Sequence, residues 1–138
     1  MKRFKVYGIG AALVDTEIRV EDTELGDLGV EKGLMTLVDQ ERRGALLHAL
    51  DGHLVKANHA SGGSAGNSVL ATALFGGPCF MSCRVIDDAD GRIYLSDLDD
   101  AGIRHPGPSD GDTPTGKCLV LVTPDAERSM NTFLGASE

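Results

Sequence analysis

The sequence predicts an α/β fold, a Rossmann-like layer accompanied by a small additional β-sheet. Three observations predict it. Short apolar runs of strand character alternate with segments whose apolar residues recur at helical spacing. Glycine-containing turns stand at the junctions, at Gly8, Gly52, Gly76-Gly77 and Gly102. The strand-like segments near 16–38 and 117–134 follow one another without the regular alternation, so they read as an extra sheet outside the main layer.

Each element has its own justification. Residues 4–9 cluster apolar side chains and run into Gly8-Ile9-Gly10, as a buried strand entering a turn does, with Asp15 at its mouth. Residues 16–20 alternate Thr, Ile and Val with charges, a strand with one wet face. An acidic, glycine-containing connection over 21–33 leads to a second such strand at 34–38. Asp39 is a suitable N-cap for a helix over 40–50, with Leu46, Leu47 and Leu50 as its apolar stripe, Arg42 and Arg43 on a solvated face, and Gly52 as its end. A second helix carries Val69, Leu70, Ala73 and Leu74 and stops at Gly76-Gly77-Pro78. A strand over 79–86 follows, then a helix over 91–101 capped by Asp90, with Ile93, Tyr94, Leu98 and Ala101 on its apolar side. Residues 105–114 combine Pro, Gly and Asp as a surface loop does. Strands over 117–123 and 129–134, joined at Pro124-Asp125-Ala126, form a hairpin.

At 138 residues the chain fits one domain, large enough to bury about two-thirds of its unfolded surface. Its 13 basic and 21 acidic residues give a net charge of -8, which works against nonspecific attraction to nucleic acid or anionic lipid. With no Trp, it also lacks an obvious platform for stacking bases. Cys79, Cys83 and Cys118 cannot all pair within one chain and show no metal-ligand spacing, so they read as reduced, mostly buried thiols, and no metal is expected. The basic start, Met1-Lys2-Arg3-Phe4-Lys5, precedes an apolar stretch broken by glycine and soon met by Asp15 and Glu17, unlike a secretory segment. No run approaches the roughly 18 apolar residues of a membrane span. The expectation is a soluble, cytoplasmic protein that binds neither nucleic acid nor membrane.

The stretch from Ser61 through Gly62, Gly63, Ser64, Ala65, Gly66 and Asn67 to Ser68 is the main candidate for recognition. Its glycines let backbone approach a ligand, the helix that follows opens with unpaired amide donors, and Asn67 adds an amide that both donates and accepts. Other motifs are weaker. Gly8-Ile9-Gly10-Ala11-Ala12-Leu13 begins like a dinucleotide fingerprint, but Leu13 replaces the third glycine and a strand follows where a helix is needed. Residues 111–118 resemble a phosphate-binding loop, yet Cys118 stands where a magnesium-binding hydroxyl belongs and a strand follows again. His48, His53, His59 and His105 have no zinc-pair spacing. Gly62-Gly63-Ser64-Ala65-Gly66 satisfies the pattern of a hydrolase nucleophile elbow, with Ser64 as the nucleophile, but only His105 lies downstream as a partner.

Taken together, the segments Gly8 to Asp15, Gly62 to Ser68, Pro114 to Cys118 and Glu127 to Met130 with Gly135-Ala136 make the chain resemble the PfkB-type, ribokinase-like family of sugar and nucleoside kinases, with the adenosine-kinase-like branch nearest. The resemblance implies a Rossmann-like, ribokinase-type layer under a small β-sheet lid, the lid strands lying near 16–38 and 117–134. It also implies a substrate pocket in which Asp15 and Asn67 hold sugar hydroxyls, helped by the backbone of Gly62 and Gly63. An ionised carboxylate accepts two hydroxyl hydrogen bonds, and each charge-assisted bond contributes about 1–3 kcal/mol. Family members carry their catalytic aspartate, anion-stabilising turn and nucleotide pocket in a second half. The expectation is therefore that residues 1–138 are an N-terminal, substrate-binding half with no catalytic residue of its own. ATP and Mg2+ would serve the complete enzyme and would not bind this chain tightly alone. A sugar or nucleoside would be its partner, and exposed edge strands would allow a homodimer. The rival reading is a non-catalytic sugar- or nucleoside-binding or dimerisation module.

Overall fold

The computed structural model describes residues 3–138. Met1 and Lys2, the start of the basic N-terminal segment, lie outside the described residues. In chain order the elements are β1 (Val6–Ile9), β2 (Leu13–Arg19), α1 (Asp22–Asp27), β3 (Met35–Leu37), α2 (Gln40–Ala49), α3 (Asp51–Leu54), β4 (Asn58–Gly62), α4 (Ser64–Leu74), β5 (Cys79–Ser82), α5 (Ala89–Asp100), β6 (Gly116–Val122) and β7 (Arg128–Phe133). The mixed α/β class read from the sequence is the class the chain adopts. The chain forms two compact units: the first takes the residues up to Val14, then Ala60–Gly116 and Leu134–Glu138, and the second takes Asp15–His59 and Lys117–Phe133.

In the first unit β1 and β5 pair in parallel, with Val6 opposite Cys79 and Ile9 opposite Ser82. Helices α4 and α5 bring Val69, Tyr94 and Leu98 onto Met81, Val85 and Ile103, all at most 3% exposed. Helix α4 stops as its glycines require, the Gly76 amide donating to Ala73 and the Gly77 amide to Thr72. Helix α5 starts earlier than expected, because its cap is Asp88 and not Asp90. One Asp88 oxygen accepts from the Gly91 amide at 2.7 Å and the other from the Thr115 amide at 2.9 Å. The strand expected over 79–86 ends at Ser82.

The second unit holds β3 and β7 and most of β6 and β2, within a sheet of strand order β3-β7-β6-β2-β4. The hairpin of β6 and β7 is antiparallel, as expected, and β3 pairs with β7 in parallel. Ile18, Val20, Leu119 and Leu121 from one face of the sheet pack with Leu25, Leu46 and Leu50 from the helices. Leu46 is fully buried, so truncating it to alanine would cost about 2–5 kcal/mol.

Several local features differ from the sequence reading, each for an identifiable reason. The connection expected over 21–33 contains α1, because Glu21 and Glu24 form a reciprocal capping box. Asp39 does cap α2, accepting from the Arg42 amide at 2.8 Å. Gly52 does not end that segment; it sits inside the short α3 that follows Leu50. Arg42 and Arg43 are half-buried rather than solvated: Arg42 donates to the Leu28 carbonyl, and the Arg43 guanidinium lies 5.3 Å from the Phe133 ring centroid. Among the described residues no helix is long and apolar enough to cross a membrane.

Candidate functional site

The residues singled out from sequence fall in both units, Asp15 in the second and Gly62, Gly63 and Asn67 in the first. In the first unit the recognition stretch is tighter than the sequence suggests. Strand β4 runs through Gly62, and α4 begins at Ser64, so only Gly63 lies between them. Residues 64–68, expected in a loop, form the first turns of the helix. Gly63 has φ 86 and ψ 142, and a Cβ there would lie 2.8 Å from the Ala11 carbonyl oxygen. No side chain fits that position without displacing backbone.

From Gly63 onward the backbone donors point out of the helix start. The Asn67 amide donates to the Gly63 carbonyl at 2.9 Å, closing the first helical turn. The amides of Ser64, Ala65 and Gly66 precede that bond and have no acceptor within the helix. Asn67 is exposed and Gly62 buried. This corner therefore presents backbone donors, a weak positive field and a neutral amide, a set that suits hydroxyl or carbonyl oxygens.

The stretch is anchored from below. Ser61 donates twice to Asp97 on α5, through its amide at 3.0 Å and through its hydroxyl. Sequence reasoning missed Asp97 because it lies in a run with Asp99 and Asp100 that looks like a solvated helix end. Its one distinguishing mark is its place three residues after Tyr94, beside the apolar stripe.

The weaker motifs resolve physically. Gly8 and Gly10 are small because α4 lies against them: a Cβ at Gly8 would fall 2.4 Å from Val69 Cγ2, and one at Gly10 would fall 2.6 Å from Ala65 Cβ. They are packing glycines, and β2 rather than a helix follows them. Cys118 lies inside β6, so residues 111–118 enter a strand and make no helix-mouth cradle. Ser64 does follow a strand and open a helix, the context of a nucleophile elbow. His105, however, the histidine of that unit, bonds Asp99 at 3.0 Å and accepts from the Gly107 amide. Cys79, Cys83 and Cys118 are free, and burial pushes the Cys83 thiol up to about 11.

In the second unit Asp15 lies within β2, where Val14, Thr16 and Ile18 are buried and Asp15 and Glu17 alternate with them on the more open face. Burial raises the Asp15 carboxyl above its usual range, and the charge of Arg128 draws it part of the way back. Arg128 is itself held on the adjoining hairpin by a 2.8 Å bond to Glu17. Asp15 also raises the Cys118 thiol, though burial is the larger cause there, and Thr132 donates to that sulfur at 3.3 Å. A partly desolvated carboxylate with a guanidinium nearby is primed to accept hydrogen bonds.

Comparison with known proteins gives this chemistry a family context. Residues 39–138 match the model of the pfkB family carbohydrate kinases. A probable sugar kinase from Rhizobium etli CFN 42 is 39% identical with a TM-score of 0.84, the match covering 99% of this chain and 41% of that one. An adenosine kinase from Sinorhizobium meliloti is 38% identical with a TM-score of 0.81, covering 99% and 41%. Adenosine kinase from Anopheles gambiae, solved with P1,P4-di(adenosine-5) tetraphosphate, has a TM-score of 0.85 at 24% identity over 99% and 43%, a likeness of fold. The chain thus spans about two-fifths of the length of these solved relatives. No curated protein matches it in sequence.

Proposed function

The chain belongs to the pfkB family of carbohydrate kinases, and from that membership we propose that it supplies the substrate-binding part of an ATP-dependent kinase acting on a primary hydroxyl of a sugar or nucleoside. Asp15 carries the reading. A carboxylate held half-buried on a strand costs stability, and a substrate that donates hydroxyls to it turns that cost into recognition. Asn67 and the backbone of Gly62 and Gly63 take further hydroxyls. The strands near 16–38 and 117–134 act as the lid, keeping water from the transferring phosphoryl group.

The family reaction uses ATP with Mg2+, which supplies the phosphoryl group and neutralises its charge. Among the described residues no group of three His, Cys, Asp or Glu side chains is placed to hold a metal ion, and none is assigned to nucleotide or metal. This chain's part is to bind and orient the acceptor hydroxyl, in the cytoplasm. The 138-residue chain, given ribose or adenosine with ATP and Mg2+, is expected to show no turnover; steady product formation would contradict the division of labour.

A second reading has its own observation. Strand β3 ends the five-stranded sheet, and Met35 and Leu37 on it are 57% and 61% exposed. An apolar edge of this kind favours pairing with a second copy, as a binding or dimerisation module would use it. A concentration-dependent dimer in sedimentation that Leu37→Lys abolishes would support that reading.

A further inference from the structure

Behind the Gly62-Gly63 corner, entirely within the first unit, lies a polar arrangement that the sequence gives no reason to expect. Tyr94 is fully buried, and its hydroxyl finds no hydrogen-bond partner among the described residues. That hydroxyl is aimed at Gly66, where a Cβ would lie only 2.7 Å from Oη. Beside it is a small cavity of about 10 Å³ lined by Ser61, Gly66, Asn67, Tyr94 and Asp97, with Leu70 and Leu98 closing the apolar side. The cavity is close to the least space that holds one water molecule; its walls are mostly apolar, but Ser61, Asn67, Tyr94 and Asp97 are among the residues that line it and carry the polar groups such a water needs. A dry cavity would leave a buried phenol unsatisfied, a costly arrangement for a side chain packed this completely. Burial also raises the Tyr94 hydroxyl far above its ordinary range, so it remains a donor at any physiological pH.

We infer that α5 carries two positioning residues for the recognition corner: Asp97, which holds Ser61 directly, and Tyr94, which holds the start of α4 through one buried water shared with the cavity's polar groups. Asp97 fixes the end of β4 by taking both Ser61 donors. Tyr94 fills the space that Gly66 leaves open, and the water ties its hydroxyl into the same network. Between these two holds only Gly63 lies outside β4 and α4, so the orientation of the Gly62 and Gly63 backbone and of Asn67 is set from α5. Neither Asp97 nor Tyr94 touches substrate; both act through the corner they hold. The consequence for substrate rests on the function proposed above, whereas the clamp itself does not.

Amide hydrogen exchange on the 138-residue chain tests the clamp without any ligand. Tyr94→Phe is expected to speed exchange at Ser61 and Asn67, whose amides are hydrogen-bonded, by about fivefold, the worth of one ordinary hydrogen bond. Asp97→Ala should speed exchange at Ser61 by at least tenfold, because two bonds to a charged acceptor are lost, and Asp97→Asn should recover part of that. Ser61→Ala, which removes one donor and keeps the amide, is the milder variant should Asp97→Ala not fold. Unchanged exchange in Tyr94→Phe, or a more stable variant, would mean the cavity is dry and would overturn the water-mediated hold. Unchanged exchange in both Asp97→Asn and Ser61→Ala would overturn the direct one.

Titration with ribose and with adenosine then separates the clamp from the function. Affinity lowered about tenfold by Asp97→Ala and partly restored by Asp97→Asn, with an unchanged far-UV spectrum, supports positioning. Wild-type binding that no variant alters overturns the positioning role of the clamp in recognition and leaves the function standing. Exchange effects with no binding of either compound by wild type overturn the function and leave the clamp standing.

Discussion

Replacing Gly63 by alanine tests the tightest point of the recognition corner. The backbone there has φ 86 and ψ 142, a region from which side chains are nearly excluded, and forcing one into it costs about 1–3 kcal/mol. The added Cβ would also sit 2.8 Å from the Ala11 carbonyl oxygen, a backbone atom that cannot swing aside, and such overpacking costs about another 1–3 kcal/mol. The expected loss is therefore about 2–6 kcal/mol out of a total stability of about 5–15 kcal/mol. For a chain of this size each kcal/mol moves Tm by about 4 °C, so Tm should fall by roughly 8 °C or more. Urea denaturation followed by circular dichroism gives the free energy directly. Gly44→Ala is the internal control: it lies within α2, nothing stands within 4 Å of its Cβ position, and the substitution should stabilise by about 0.5–1 kcal/mol. A Gly63→Ala chain within about 0.5 kcal/mol of wild type would refute the strained corner, because that is the scatter of unremarkable substitutions.

Two further outcomes follow from the titrating groups. Asp15 has its folded-state pKa raised above the ordinary 3.8, so its charge works against folding: the stability it allows at low pH is lost as pH rises through the folded pKa. Asp15→Asn should therefore be more stable than wild type at pH 7, with the difference vanishing below about pH 3.8, and a less stable variant at pH 7 would contradict the assignment. Cys83, with its thiol raised to about 11, should react with iodoacetamide many times more slowly than free cysteine at pH 8; alkylation at the free-thiol rate would contradict its half-buried placement.

Much of the fold was legible because its signals are local. The β6–β7 hairpin announced itself by the apolar run 118–122 ahead of the Pro124-Asp125 turn, and α2 by the Asp39 cap and its leucines. Strand β4 was not legible, since Asn58, His59 and Ala60 lack any apolar alternation and take strand form from their sheet neighbours; Thr16, for one, lies 3.1 Å from His59 Nδ1. Helix α1 was hidden in an acidic stretch in which Glu21 and Glu24 cap one another, a pairing that composition does not reveal. The candidate site divides in the same way. Asp15, Gly62, Gly63 and Asn67 are candidates that family-like motifs single out, and the structure adds the strain at Gly63 and the desolvation at Asp15. Asp97 and Tyr94 escaped because their roles depend on a helix crossing behind a strand end about 35 residues earlier in sequence, a contact that only tertiary structure creates.

Whether this chain reads the hydroxyls of a sugar or nucleoside is decided by adding ribose or adenosine to the isotopically labelled chain and following every backbone amide by NMR. Saturable shifts are expected, concentrated at Asp15, Gly62, Gly63 and Asn67, and lost in Asp15→Ala while the remaining spectrum stays folded. Shifts that gather elsewhere, or that survive in Asp15→Ala, would contradict that reading.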